Sequence, residues 1–139
     1  MSTTPPPPAL PLADPAGRHA VLLCSSAELV EAGRAHVFDL LEFGRPTRAF
    51  ALRFEGRVVA YLNRCAHVPA EMDWRPGEFL DDTRRYILCS MHGAVYTPQD
   101  GVCVGGPCPG RRLTGLTVRE EQGQVYWYPS GHFAAAFAD

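Results

Sequence analysis

Two short segments of the sequence each place one cysteine and one histidine close together. The first is Cys65-Ala66-His67, the second is Cys89-Ser90-Met91-His92, and 21 residues separate His67 from Cys89. Thiolate and imidazole are ligands that iron and zinc favour in proteins. The sequence therefore predicts a metal centre, and it requires a fold that brings the two loops together.

The spacing within each loop narrows the kind of centre. A cysteine and a histidine one or two residues apart cannot easily chelate a single ion as a Cys-x-x-Cys pair does. They can reach the two irons of a [2Fe–2S] cluster, with both cysteines on one iron and both histidines on the other. The alternative is a structural zinc site, in which the metal only stabilises a β-domain by holding the loops together.

The two loops resemble the cluster-binding loops of the Rieske family, and the likeness extends from about residue 18 to residue 129. The matching motifs are Cys65-x-His67 and Cys89-x-x-His92-Gly93, and Gly106-Pro107-Cys108-Pro109 is similar to the proline loop that covers the cluster in that family. The resemblance implies one Rieske-type [2Fe–2S] cluster, held by Cys65, His67, Cys89 and His92.

The resemblance also implies roles for neighbouring residues. High-potential members of the family have a serine after the His-Gly pair and a tyrosine two residues later, which donate hydrogen bonds to cluster sulfurs. Here Ala94 follows Gly93, and Tyr96 matches the tyrosine. The family's inter-loop disulfide cannot form, because its two positions are Ala70 and Met91. Both departures predict a low to intermediate reduction potential.

Three apolar residues are expected to shield the cluster from solvent by the same resemblance. They are Met72, Met91 and Pro107.

Strand-like runs and turn signals alternate along the whole chain. Glu55-Gly56 and Gly44-Arg45-Pro46 are typical of hairpin turns, and Phe50, Leu52 and Phe54 alternate as in a half-buried strand. A short helix is expected at Ala27–Glu31 after a serine cap. The pattern predicts an all-β antiparallel sandwich or small barrel, and the resemblance implies that a two-loop cluster-binding subdomain is inserted in it.

The predicted strands comprise nine short runs: His19–Cys24, Ala35–Glu42, Arg48–Phe54, Arg57–Asn63, Tyr86–Cys89, Val95–Thr97, Val102–Val104, Leu113–Arg119 and Gln124–Tyr128.

Three regions are expected along the chain. Residues 1–17 contain six prolines and predict a disordered leader that favours polyproline II. Residues 18–130 form the Rieske domain. Residues 131–139 are a short tail, with a turn of helix expected at Ala134–Phe137.

Composition excludes several functions. A formal net charge of −2 gives no basic footprint for nucleic acid. No apolar run approaches the roughly 18–20 residues of a membrane span, so no membrane association is expected. Five cysteines, an odd number, favour metal ligation in a reducing compartment over a disulfide scaffold. We therefore expect a cytoplasmic protein.

The function predicted is that of a Rieske-type ferredoxin without substrate chemistry of its own. It would carry one electron from a reductase to a terminal oxygenase or another oxidoreductase. The alternatives are a small Rieske subunit of a larger, nitrite-reductase-like complex and the zinc-stabilised domain. An acidic group, Glu71, Asp73, Asp81 and Asp82, is expected to be a solvated face that could steer a basic partner.

Overall fold

The computed structural model describes residues 20–66, 70–90, 93–107 and 109–136, and the predicted leader at 1–17 lies outside them. The strands, in chain order, are β1 (Val21–Ser25), β2 (His36–Glu42), β3 (Arg45–Phe54), β4 (Arg57–Leu62), β5 (Ile87–Leu88), β6 (Val95–Tyr96), β7 (Cys103–Gly105), β8 (Val118–Glu121), β9 (Gln124–Trp127) and β10 (Phe133–Ala135).

These strands form three sheets, and every strand ladder among the described residues is antiparallel. The orders are β1-β9-β8, β10-β2-β3-β4 and β5-β6-β7. Residues 114–116 run beside β4, since Leu62 N–H donates to the Thr114 carbonyl and Leu116 N–H to the Ala60 carbonyl. The first two sheets are therefore joined along this edge, and the predicted all-β antiparallel architecture is confirmed.

Two hairpin turns define the central meander. Glu55 and Gly56, at φ +51° and +78°, form the predicted two-residue turn between β3 and β4. The preceding turn begins one residue earlier than predicted and consists of Phe43 and Gly44, at φ +51° and +77°. Pro46 lies within β3 instead.

Over residues 49–52, strand β3 is buried on both faces, not on one. Phe50, Leu52 and Phe54 are buried, as their alternation predicts, and they pack toward the third sheet. Ala49 and Ala51 are also buried, against residues of β9 such as Val125 and Trp127. Small side chains on that face allow the first two sheets to approach closely, so the alternation of large and small residues does not signal exposure.

The predicted helix at residues 27–31 is wrong. Only Ser26–Glu28 forms one 3₁₀ turn, in which the Glu28 carboxylate accepts the Ser25 N–H at 2.9 Å. The chain then leaves the helical path because Leu29 is buried and its carbonyl accepts from Arg53 Nε at 2.8 Å.

The turn of helix predicted at Ala134–Phe137 is also wrong over its described part. Residues Phe133–Ala135 form β10, which pairs with β2. The free edge of β2 supplies backbone partners, and Phe133 packs beside Leu40 and Trp127.

The segment between the two loops has little regular structure. Phe79 is buried in the core, whereas Trp74 is 46% exposed. No helix among the residues described is long and apolar enough to cross a membrane.

Candidate metal centre

Both candidate cysteines lie at the ends of strands and are buried. Cys65 follows β4 and is 3% exposed, and Cys89 follows β5 and is 0% exposed. Phe50, Phe79 and Ile87 belong to the same apolar cluster as the two cysteines. The fold therefore brings the two predicted loops to one core, which is what a shared metal centre requires.

Backbone hydrogen bonds close each loop. Cys65 N–H donates to the Ala70 carbonyl at 2.9 Å across the first loop. In the second, Cys89 N–H donates to the Ala94 carbonyl at 2.8 Å and Gly93 N–H to the Cys89 carbonyl at 3.0 Å. Gly93 adopts φ +74°, which favours glycine, so the residue after His92 is suited to the tight return of the chain.

Tyr96 links the second loop to the first. Its buried hydroxyl accepts the Ala66 N–H at 3.0 Å and lies 3.3 Å from Cys65 Sγ. Since a metal-bound thiolate has no proton to donate, the hydroxyl hydrogen would point to the sulfur when Cys65 is a ligand. A donor to a ligand sulfur is the role that the family resemblance implies for Tyr96.

A third loop packs beside the second. A side chain on Gly106, at φ +84°, would meet Ala94 Cα at 2.8 Å and the Gly93 carbonyl oxygen at 2.8 Å. This close approach explains the glycine before Pro107 and places the proposed proline loop beside the second cysteine loop. Pro107 itself is exposed.

Arg111 ties the third loop to the first. Its guanidinium donates to the Ala66 carbonyl at 3.4 Å, while its own carbonyl accepts the Cys103 N–H at 2.7 Å. The sequence did not indicate this contact, because the two residues are 45 positions apart.

The other predicted site residues divide between described and undescribed parts of the chain. Met72 and Ala94 are fully buried in the cluster that contains Cys65 and Cys89. His67, Met91, His92 and Cys108 lie outside the described residues. Within the described ranges, no three His, Cys, Asp or Glu side chains group as a metal site.

Comparison with known families identifies the domain. A family model described as the Rieske [2Fe-2S] domain matches residues 19–132. The chain belongs to the Rieske family. It is thus an electron-transfer domain with a Rieske-type [2Fe–2S] cluster, and two buried cysteines with a tyrosine hydroxyl at one sulfur fit that group.

Solved structures share the Rieske fold. The ferredoxin of carbazole 1,9a-dioxygenase from Nocardioides aromaticivorans IC177 matches with a TM-score of 0.61 and 18% identity, over 80% of this chain and 98% of that chain. The terminal oxygenase of carbazole 1,9a-dioxygenase from Novosphingobium sp. KA1 matches with a TM-score of 0.65 and 23% identity, over 82% of this chain and 30% of that chain.

A third match is the reduced complex between oxygenase and ferredoxin in carbazole 1,9a-dioxygenase, with a TM-score of 0.66 and 24% identity over 80% of this chain. The match covers only 28% of the chain in that complex. No curated protein matches the sequence.

Three of the four acidic residues that were expected to form a solvated face make contacts within the Rieske domain. Glu71 lies 3.8 Å from Arg48, and Asp73 accepts from Asn63 Nδ2 at 2.9 Å. Asp81 accepts from the Thr83 hydroxyl at 2.8 Å and from two backbone N–H groups. These carboxylates therefore organise the segment after the first loop, in addition to facing solvent.

An ion pair lies directly before the first candidate ligand. Arg64 donates to the Glu42 carboxylate, and this hydrogen bond is the main reason that the pKa of Glu42 lies below its ordinary value. His132 Nε2 lies 3.6 Å from the same carboxylate. The pair links the end of β4 to β2 and thereby anchors the start of the Cys65 loop.

Proposed function

We propose that this Rieske domain is a one-electron carrier whose cluster is held by Cys65, His67, Cys89 and His92. When bound, a Rieske cluster accepts and releases a single electron. The observation that carries the proposal is the contact of the Tyr96 hydroxyl with Cys65 Sγ in a buried site that also contains Cys89. A hydroxyl there would stabilise negative charge on the ligand sulfur.

The surroundings favour a potential in the low to intermediate range. Ala94 is buried and offers no hydroxyl where high-potential relatives have serine. Ala70, the partner position of the family's disulfide, has no sulfur. Tyr96 acts in the opposite direction, because its donated hydrogen bond raises the potential.

The partners we propose are a reductase as donor and a terminal oxygenase or similar oxidoreductase as acceptor. In support, the chain matches nearly the full length of the ferredoxin of carbazole 1,9a-dioxygenase, and another match is a complex of oxygenase with ferredoxin. We further propose that the carrier has no substrate chemistry of its own. An odd cysteine count favours a reducing, cytoplasmic setting.

The deciding experiment is EPR spectroscopy of anaerobically purified protein after dithionite reduction, with iron and acid-labile sulfide analysis and a redox titration. We expect a rhombic Rieske signal and about two irons per chain. H67Q and H92Q should lose this signal, whereas the control H36Q should keep it, since His36 lies on β2.

Electron transfer is tested next, by mixing the reduced protein with an oxidised terminal oxygenase and following reoxidation. Zinc in place of iron, or a Rieske signal that survives in H67Q and H92Q, would refute the ligand assignment.

A further inference from the structure

Asn63 is the one buried side-chain amide among the described residues, at 5% exposure. It directly follows the apolar strand β4 and precedes Cys65 by two positions. A buried amide without hydrogen bonds destabilises the fold, so its partners require an explanation.

Both ends of the amide are engaged with one short segment. Asn63 Oδ1 accepts the Met72 N–H at 2.7 Å, and Nδ2 donates to Asp73 Oδ1 at 2.9 Å. The other carboxylate oxygen of Asp73 accepts the Gly77 N–H at 3.3 Å. The amide therefore holds the chain just after the first ligand loop against the strand just before it.

The same segment contacts the second ligand loop. Ser90, directly after Cys89, donates its N–H to the Met72 carbonyl at 3.1 Å. A continuous path thus runs from the Asn63 amide through the Met72 peptide to the residue beside Cys89. This path connects two loops that are not joined by a disulfide. The inter-loop disulfide of the family cannot form here, because positions 70 and 91 are alanine and methionine.

We propose that Asn63 is a positioning residue that, through Met72, sets the relation between the two ligand loops of the cluster. This proposal rests on the ligand assignment made above. Asp73 is the partner that orients the amide, because only one orientation lets Oδ1 accept from Met72 while Nδ2 donates to Asp73. The hydrogen-bonded link provides the connection that a disulfide provides in some relatives.

Exchanging the two side chains tests the pair directly. N63D retains an acceptor for Met72 N–H but places two carboxylates together, which repel each other. D73N alone still accepts from Asn63 and loses only the weaker contact with Gly77. In N63D/D73N the N–H groups of Met72 and Gly77 keep their acceptors, and only the hydrogen bond between side chains 63 and 73 reverses its direction, so the double variant should recover.

The measurements are the rate of cluster loss to an iron chelator, followed by visible absorbance, and the EPR g values of the reduced protein. We expect N63D to lose its cluster about 10- to 100-fold faster than wild type and to show shifted or broadened g values. D73N and N63D/D73N should stay within about threefold of wild type. If N63D does not fold, N63S replaces it, since a serine hydroxyl is too short to bridge both partners.

E120Q is the control for general destabilisation, because it breaks the Arg53–Glu120 ion pair between β3 and β8. It should leave the g values and the chelation rate unchanged. The proposal is overturned if N63D and N63S match wild type, if N63D/D73N is as impaired as N63D, or if E120Q produces the same changes. A wild-type protein without a Rieske signal would instead overturn the ligand assignment itself.

Discussion

Replacing Tyr96 with phenylalanine removes one hydroxyl from the centre of the site. That hydroxyl accepts the Ala66 N–H at 3.0 Å and lies 3.3 Å from Cys65 Sγ. Phenylalanine fills almost the same buried volume, so the change isolates the polar contacts. We expect Y96F to lower the reduction potential and to reduce stability.

The size of the shift follows from the hydrogen bond. A bond to a charged acceptor contributes about 1.5–3 kcal/mol, and the part that depends on the added electron is roughly 1 kcal/mol. Since about 1.4 kcal/mol corresponds to 59 mV for a one-electron couple, the midpoint should fall by about 40 mV. The Ala66 N–H, left without this acceptor in a partly exposed position, adds a stability loss of about 1 kcal/mol.

The assay is a redox titration monitored by EPR or circular dichroism, together with urea unfolding. Y126F is the matched control, because the buried Tyr126 hydroxyl has no hydrogen-bond partner among the described residues. It should leave the midpoint unchanged and cost no stability. A Y96F midpoint within about 10 mV of wild type, or an equal decrease in Y126F, would refute the argument.

Three further predictions concern the surrounding loops and the sheet. A94S adds a hydroxyl donor at a fully buried position and should raise the reduction midpoint of the cluster by some tens of millivolts, since about 1.4 kcal/mol corresponds to about 59 mV. A lower midpoint in the redox titration would contradict this. G106A should lower the urea midpoint more than G110A, since both sites have φ above +80° but only Gly106 would clash, at 2.8 Å; equal losses would mean that strain alone matters. The pKa of Glu120 is lowered chiefly by the hydrogen bond from Arg53, so its stabilisation is complete above the ordinary Glu pKa and is lost as the pH falls through the lower folded value. E120Q should therefore unfold at lower urea near pH 7 and converge with wild type in acid, and a constant difference at all pH values would disprove the linkage.

Local chemistry made much of this domain predictable. Ligand type and spacing in the two Cys/His loops indicated the cluster, and the positive φ that a tight turn needs was visible in Glu55-Gly56. Alternating side chains predicted strands near their observed positions. The prediction of helix at residues 27–31 failed because burial of Leu29 and the bond to its carbonyl from Arg53 outweigh local helix preference.

The family, the cluster and the all-β class were thus determined by the sequence itself, because they depend on residue types and short spacings. The burial of Ala49 and Ala51, the addition of β10 to β2 and the contact of Arg111 with Ala66 were decided only by tertiary structure. The same holds for the link from Asn63 through Met72 to Ser90. Such contacts join residues distant in the chain, and whether a polar group finds its partner depends on how the sheets pack.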